Sequence, residues 1–220
     1  MVTKHLPVAD PYIDPNTGVL RNTFGITDDV SLHAAEVATA RMNATNAMAI
    51  ADRTRYLNEK ALQHIHRSLF GEIYDWAGEF RTVYLHKADG GLPFEAPDRL
   101  AGAMKQRILP PANRLARRAG TDDAVFISAL AKCWGELNHL HPFREGNGRA
   151  TQIFIAAFAH RFERDIDWSK ISHAAEQDAA IAAMSNNYVP YETLLATALR
   201  PFDPSRPAGQ FWVEREAERE

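Results

Sequence analysis

Cysteine is nearly absent: Cys133 is the one thiol in 220 residues. No intrachain disulfide can form, nor a structural zinc site built on thiolates. Long apolar runs are also missing. The strongest, Ile153 to Ala159, has seven residues, against the roughly 20 that a bilayer-spanning helix needs. The opening MVTKHLPVADPY has no apolar core of the signal-peptide kind, so a reducing cytoplasm is the expected compartment. There is no excess of positive charge either: 25 Lys+Arg stand against 28 Asp+Glu, a formal net charge of −3. That balance excludes a broad nucleic-acid-binding surface driven by net charge, but not a local basic site. Internal repeats and low-complexity blocks are absent. What remains, 45% hydrophobic and 24% charged residues, is the balance of a globular protein with one large domain.

The residue pattern divides the chain into an N-terminal arm over 1–28, a helical domain over 29–200 and a C-terminal extension or truncated linker over 201–220. In the arm, Asp14-Pro15-Asn16-Thr17-Gly18 is a turn by composition, and Val19-Leu20 reads as a clamp onto the core. Helices are expected from Asp29 through Ile50 and from about Leu57 to Tyr74. In the second, Leu62, Ile65, Leu69 and Ile73 form one apolar stripe. Further helices are expected from Pro97 to Arg107, from the Asp122 region to Leu140, from near Arg149, from Asp167 to about Met184, and from Pro190 to Leu199. Phe80 to Leu85 is the best strand candidate, and Asp89-Gly90-Gly91 is a turn signal. Together they predict a small hairpin flap near residues 81–94, which has to lie against helices to be stable. The fold class is therefore mainly α, with one β-hairpin flap.

The informative segment is His141-Pro142-Phe143-Arg144-Glu145-Gly146-Asn147-Gly148-Arg149, a polar loop entering a helix that is apolar on most faces. Gly146 and Gly148 permit backbone geometries closed to other residues, so several N–H groups can converge at the helix N-terminus as an anion hole. Arg149, in the first turn, adds a permanently charged fork suited to phosphate oxygens. Its charge conflicts with the helix dipole, and a bound anion would offset that conflict. Glu145 is placed to hold a divalent cation against the same phosphates. His141 is the natural general base for a hydroxyl near neutral pH. Each residue alone has an ordinary explanation as a core histidine, a turn or a surface ion pair; their conjunction within nine residues is what points to phosphate chemistry.

This segment resembles the signature of the Fic domain family, HxFx(D/E)GNGRxxR. YIDPNTGVLRNTFGI is similar to the family's N-terminal arm, and YDWAGEFRTV with Lys87 and Phe94 to the flap that docks a target's backbone. The resemblance covers about residues 10–200. It implies a Fic-type helical bundle that binds ATP with Mg²⁺ and transfers AMP to a Ser, Thr or Tyr hydroxyl of a target protein (AMPylation). By the same resemblance His141 is the base, Phe143 anchors the loop and Glu145 holds Mg²⁺. Gly146, Asn147 and Gly148 form the anion hole, Arg149 binds the outer phosphates, and the target docks at the flap near Lys87 and Phe94.

One position departs from the signature. The second arginine is replaced by Gln152, which can donate a hydrogen bond but brings no charge. An alternative reading therefore stands beside adenylylation: a nucleotide- or protein-binding module with weak or altered transfer. Transfer of another phosphate-linked group is a third. Family members are often restrained by a helix carrying (S/T)xxxE(G/N). Ser172-His173-Ala174-Ala175-Glu176-Gln177 matches it loosely and is read as an ordinary helix surface. The resemblance is therefore to the subclass restrained by a separate small antitoxin-like protein, expected to bind beside the nucleotide loop and around Leu32 to Ile50. The same resemblance implies a bacterial cytoplasmic toxin or an effector delivered into a host cell by a specialised secretion system. No direct nucleic-acid contact and no membrane span are expected.

Overall fold

The computed structural model describes residues 10–54, 57–87, 92–110, 114 and 122–205. The turn expected at Asp89, Gly90 and Gly91 and the tail from 206 onward, with Trp212, lie outside these residues. Seven helices and one two-stranded sheet are found among the described residues. The helices are α1 (Asp29–Arg53), α2 (Glu59–Phe70), α3 (Leu100–Ala103), α4 (Asp123–Leu140), α5 (Asn147–His160), α6 (His173–Ala183) and α7 (Val189–Ala198). A 3₁₀ turn at Pro97–Arg99 precedes α3, and a π turn at Met104–Ile108 follows it.

Helix starts follow side-chain caps. Asp28 accepts the Ser31 N–H before α1, Asn58 the Ala61 N–H before α2, Asp122 the Ala124 N–H before α4, and Ser172 the Ala175 N–H before α6. Pro190 sits in the first turn of α7, where its missing N–H costs nothing. The helix expected from Asp167 begins later, because Asp167 caps a separate 3₁₀ turn at Trp168–Lys170 and Ser172 starts α6 anew.

α5 is the central element. Twelve of its residues are buried, and it packs against α1, α2 and α4. The buried residues of α1 include Ala40, Ala44, Ala47 and Ala51, small side chains that let it lie close along α2. Val30 by contrast is exposed. Val19 reaches the common core from the arm, where Ile13 bridges Leu20 across the predicted turn, with Gly18 at φ +76°. No helix among the described residues is long and apolar enough to cross a membrane.

The β-structure differs from expectation in one respect. The two-stranded antiparallel sheet pairs β1 (Arg164–Ile166) with β2 (Leu199–Pro201), neither of them part of the flap. Phe80 to Leu85 is not a strand, because other partners take the groups a ladder would use. The Arg81 N–H donates to the Pro142 carbonyl (2.8 Å), the Thr82 N–H to the Tyr12 hydroxyl (3.2 Å), and the Val83 carbonyl accepts from the Arg81 guanidinium. Hairpin pairing begins only beyond them, with a bridge between His86 and Pro93 flanked by Lys87 N–H to Leu92 C=O (3.1 Å) and Phe94 N–H to Leu85 C=O (3.0 Å).

Candidate active site

α4 ends at Leu140, and His141 caps it in the left-handed conformation (φ 45°, ψ 59°). That geometry is costly for a residue with a Cβ, so other contacts must hold it. The Arg81 guanidinium grips the His141 carbonyl (2.8 Å), and Phe94 stacks on the imidazole at 3.9 Å with planes 11° apart. Burial first, and then the positive charges of Arg81 and Lys87, push the His141 pKa down to about 3, against a smaller opposing effect of the Asn138 backbone. The ring is therefore neutral at pH 7, as a proton acceptor must be.

The loop is closed from within by Asn147. Its side chain accepts the Phe143 N–H and donates to the Phe143 carbonyl, both at 2.8 Å. Phe143 is fully buried and stacks on His66 at 3.9 Å. The His66 Nδ1 accepts the Gly78 N–H (2.9 Å), so the proton sits on Nε2 and is donated to the Glu145 carbonyl (2.9 Å). Complete burial holds the His66 pKa down to about 3, which keeps that tautomer pair intact.

α5 then starts at Asn147. Gly146 is required twice over: its φ is +76°, and a Cβ there would lie 2.4 Å from the Phe70 ring. The first intrahelical bond is Ala150 N–H to Gly146 C=O (3.1 Å). The N–H groups of Asn147, Gly148 and Arg149 thus precede the helix's own acceptors and lie at its positive end. A Cβ at Gly148 would meet open space, so this face is turned to the cavity.

Arg149 is nine-tenths buried. Its Nη2 donates to Glu36 from α1 (3.0 Å) and its guanidinium lies 4.8 Å from the Phe70 ring centroid. Nη1 is buried with no hydrogen-bond partner among the described residues. A buried guanidinium nitrogen in that condition calls for an oxygen ligand. Tyr74 donates its hydroxyl to the other oxygen of Glu36. The Glu145 side chain is 43% exposed, accepts the Gly146 N–H (3.0 Å) and stands 3.7 Å from Arg149. Among the described residues no cluster of three metal-ligating side chains exists. A carboxylate facing a cavity in this way suits Mg²⁺, which takes one or two carboxylates and draws its other ligands from substrate phosphates and water.

Gln152 is buried one turn further along α5 and donates to both carboxylate oxygens of Glu176 at 2.8 and 2.9 Å. The reading of 172–177 as an ordinary helix surface is corrected here. Glu176 is turned inward, across from the position where the signature has its second arginine. The half-buried Lys87, its pKa lowered by burial and partly restored by Glu176, completes the rim. These groups enclose one cavity of about 930 Å³ between α1, the loop and α6, lined by His141, Gly148, Arg149, Gln152 and Glu176 among others. Sequence reasoning placed the loop residues around it. It missed Glu36, His66 and Arg81, whose partners lie far away in sequence.

Comparison with known proteins gives the family. Residues 56–159 match the Fic/DOC family. Protein adenylyltransferase VbhT of Bartonella schoenbuchensis is 32% identical over 201 residues, which are 90% of this chain and 40% of VbhT. The chain thus spans less than half the length of that relative. Probable protein adenylyltransferase Fic of Escherichia coli strain K12 is 31% identical over 170 residues, covering 77% of this chain and 82% of that protein. Among solved structures, the ADP-bound N-terminal Fic domain of a VirB-translocated Bep effector from Bartonella quintana superposes with a TM-score of 0.77. It is 24% identical and the match covers 87% of this chain and 95% of the other. With the loop, the helix N-terminus and the flap in place, and a relative of this identity matched over most of its length, the chain belongs to the Fic/DOC family.

Proposed function

We propose that the chain is a protein adenylyltransferase that moves AMP from ATP to a hydroxyl of a target protein. One observation carries this reading: a neutral histidine, a helix N-terminus and an arginine with one unsatisfied buried nitrogen line a single cavity large enough for a nucleotide. The target hydroxyl oxygen attacks the α-phosphorus as its proton passes to the His141 ring. The bond from phosphorus to the bridging oxygen breaks, and pyrophosphate leaves with the electron pair. Negative charge on the phosphates is met by the N–H groups at the start of α5 and by Arg149 Nη1. The bound polyphosphate also raises the proton affinity of the nearby His141 ring, so the base strengthens when substrate is in place. Glu145 is the residue that would hold Mg²⁺, which when bound neutralises charge on the phosphates.

The flap supplies the target side. Phe94 is turned inward onto His141, whereas Tyr84 and Leu92 are exposed and Lys87 reaches the cavity rim. An extended target segment laid along this ribbon brings its hydroxyl to the base. Restraint by a small antitoxin-like protein fits the cavity wall formed by Val30, Ala34 and Val37 of α1. The bacterial cytoplasm is the site of action we favour. The likeness to a VirB-translocated effector supports delivery into a host cell as the other destination. Incubation with α-labelled ATP, Mg²⁺ and lysate proteins is expected to label one or a few bands, and His141→Ala to remove the label. Label that survives His141→Ala would sink the reading.

A further inference from the structure

Arg81 is almost completely buried, at 2% exposure, yet among the described residues no hydrogen bond ties its guanidinium to a carboxylate, and the charge of Glu95 nearby offsets only part of the cost of burial. Burying a charge without a directly bonded counter-ion is expensive unless its hydrogen bonds are well satisfied. Here four bonds go to backbone carbonyls: Nε to His141 (2.8 Å), Nη1 to Val83 (2.6 Å), and Nη2 to Glu95 (2.5 Å) and Leu140 (3.2 Å). Its own N–H donates to a fifth, Pro142 (2.8 Å).

The pattern of these acceptors is informative. The carbonyls of Leu140, His141 and Pro142 are consecutive at the C-terminus of α4, where helix carbonyls have lost their partners and the dipole favours a cation. The carbonyls of Val83 and Glu95 are the two roots of the flap. One side chain therefore fastens both roots of the flap to the turn that carries His141. Glu95 is held further by Arg107 Nη1 (3.0 Å) and by its own N–H to the His139 carbonyl (3.2 Å). Its neighbour Phe94 lies on the His141 ring. Arg81 does not line the nucleotide cavity.

We infer that Arg81 is a positioning residue that sets the left-handed turn of His141 and the flap as one unit, so that the base and the docked target hydroxyl keep a fixed separation. The inference rests on the reading of His141 as base. Lysine cannot replace the guanidinium, because a point ammonium cannot serve four carbonyls spread over three segments. Misplacement of a reacting group by about 1 Å costs on the order of a hundredfold in rate.

The test compares Arg81→Lys with the unmodified chain. Three quantities are read: ATP affinity by calorimetry, the rate of label incorporation from α-labelled ATP at saturating ATP, and the His141 ring signals in a histidine-labelled NMR spectrum, assigned by their absence in His141→Ala. The expected result is ATP affinity within twofold, a rate lower by at least tenfold, and His141 ring protons shifted as the Phe94 stack loosens. A folded Arg81→Lys chain with an unmoved His141 signal and full rate overturns the inference. If Arg81→Lys does not fold, Arg81→Gln decides, since it keeps a two-donor amide without a buried charge, with the same signal shift and rate loss expected and silence on both overturning the inference. If the unmodified chain labels nothing, the proposed function fails, and the His141 signal alone then tests the role of Arg81.

Discussion

Replacing Glu36 by glutamine probes the cation at the heart of the cavity. Glu36 and Arg149 meet at 3.0 Å with side-chain exposures of only 5% and 10%, so solvent screens the pair little. Removing one partner of a buried pair costs about 3–5 kcal/mol, because the other charge is left buried. Glutamine still accepts from Tyr74, whose phenol burial keeps protonated, so the lower end, about 3 kcal/mol, is expected. For a chain of this size that is a fall in Tm of roughly 6–12 °C. The lost negative charge is one that a bound phosphate can replace. ADP should therefore raise the Tm of Glu36→Gln by more than it raises that of the unmodified chain. Thermal unfolding followed by circular dichroism, with and without ADP and Mg²⁺, reads both effects. An unchanged Tm, or a smaller ADP shift in the variant, would refute the assignment of Glu36 as the resting counter-ion of Arg149.

Other outcomes follow from the same contacts. Glu176→Ala removes a carboxylate from the cavity and with it the two hydrogen bonds that the Gln152 amide donates to it. Hydrogen bonds to charged groups are worth about 1.5–3 kcal/mol, so ATP affinity by calorimetry should rise about tenfold; a weaker affinity contradicts this. Gln152→Arg alone should gain little, since the new guanidinium would pair with Glu176. The gain should emerge in the double variant Gln152→Arg/Glu176→Ala, and an additive cycle would disprove the coupling. Stability should fall on both sides of about pH 6.5. Burial alone would lower the His160 pKa, but its hydrogen bonds to Asp165 and Asp52 and their charges raise it to about 9. Its contribution, about 2–3 kcal/mol, is complete below pH 6.5 and lost as pH rises to 9. His66 and His141, both held to about 3, have the opposite sign and lose their contribution as pH falls from 6.5. A Tm profile flat from pH 6.5 to 9, or unaltered by His160→Gln, contradicts the first of these.

The loop from His141 to Arg149 was legible because its residues are contiguous, and the start of α4 was legible from Asp122, whose cap is local; the start of α6 was placed too early, at Asp167, because two capped turns follow each other there. What escaped was non-local. Glu36 sits on α1, where the apolar pattern is mostly alanine, and nothing in its neighbourhood marks it as the partner of a residue 113 positions away. His66 lay within a stripe read as Leu62, Ile65 and Leu69. Arg81 lay inside a run with high β-propensity, and that propensity misled, because the side chain of Arg81 itself takes the Val83 carbonyl. The true sheet is three residues on each side and joins segments 35 positions apart, too short for alternation to show. Glu176 matched a known pattern loosely, and only the fold reveals that it faces Gln152.

The central claim is that His141 and the start of α5 transfer a nucleotidyl group to protein hydroxyls. Mass spectrometry of the proteins labelled in lysate tests this most directly. The expected adduct is AMP in phosphodiester linkage to a Ser, Thr or Tyr side chain, with label from α-labelled but not γ-labelled ATP and none with His141→Ala. A simple phosphate adduct, or label that follows the γ-phosphate, would contradict the account.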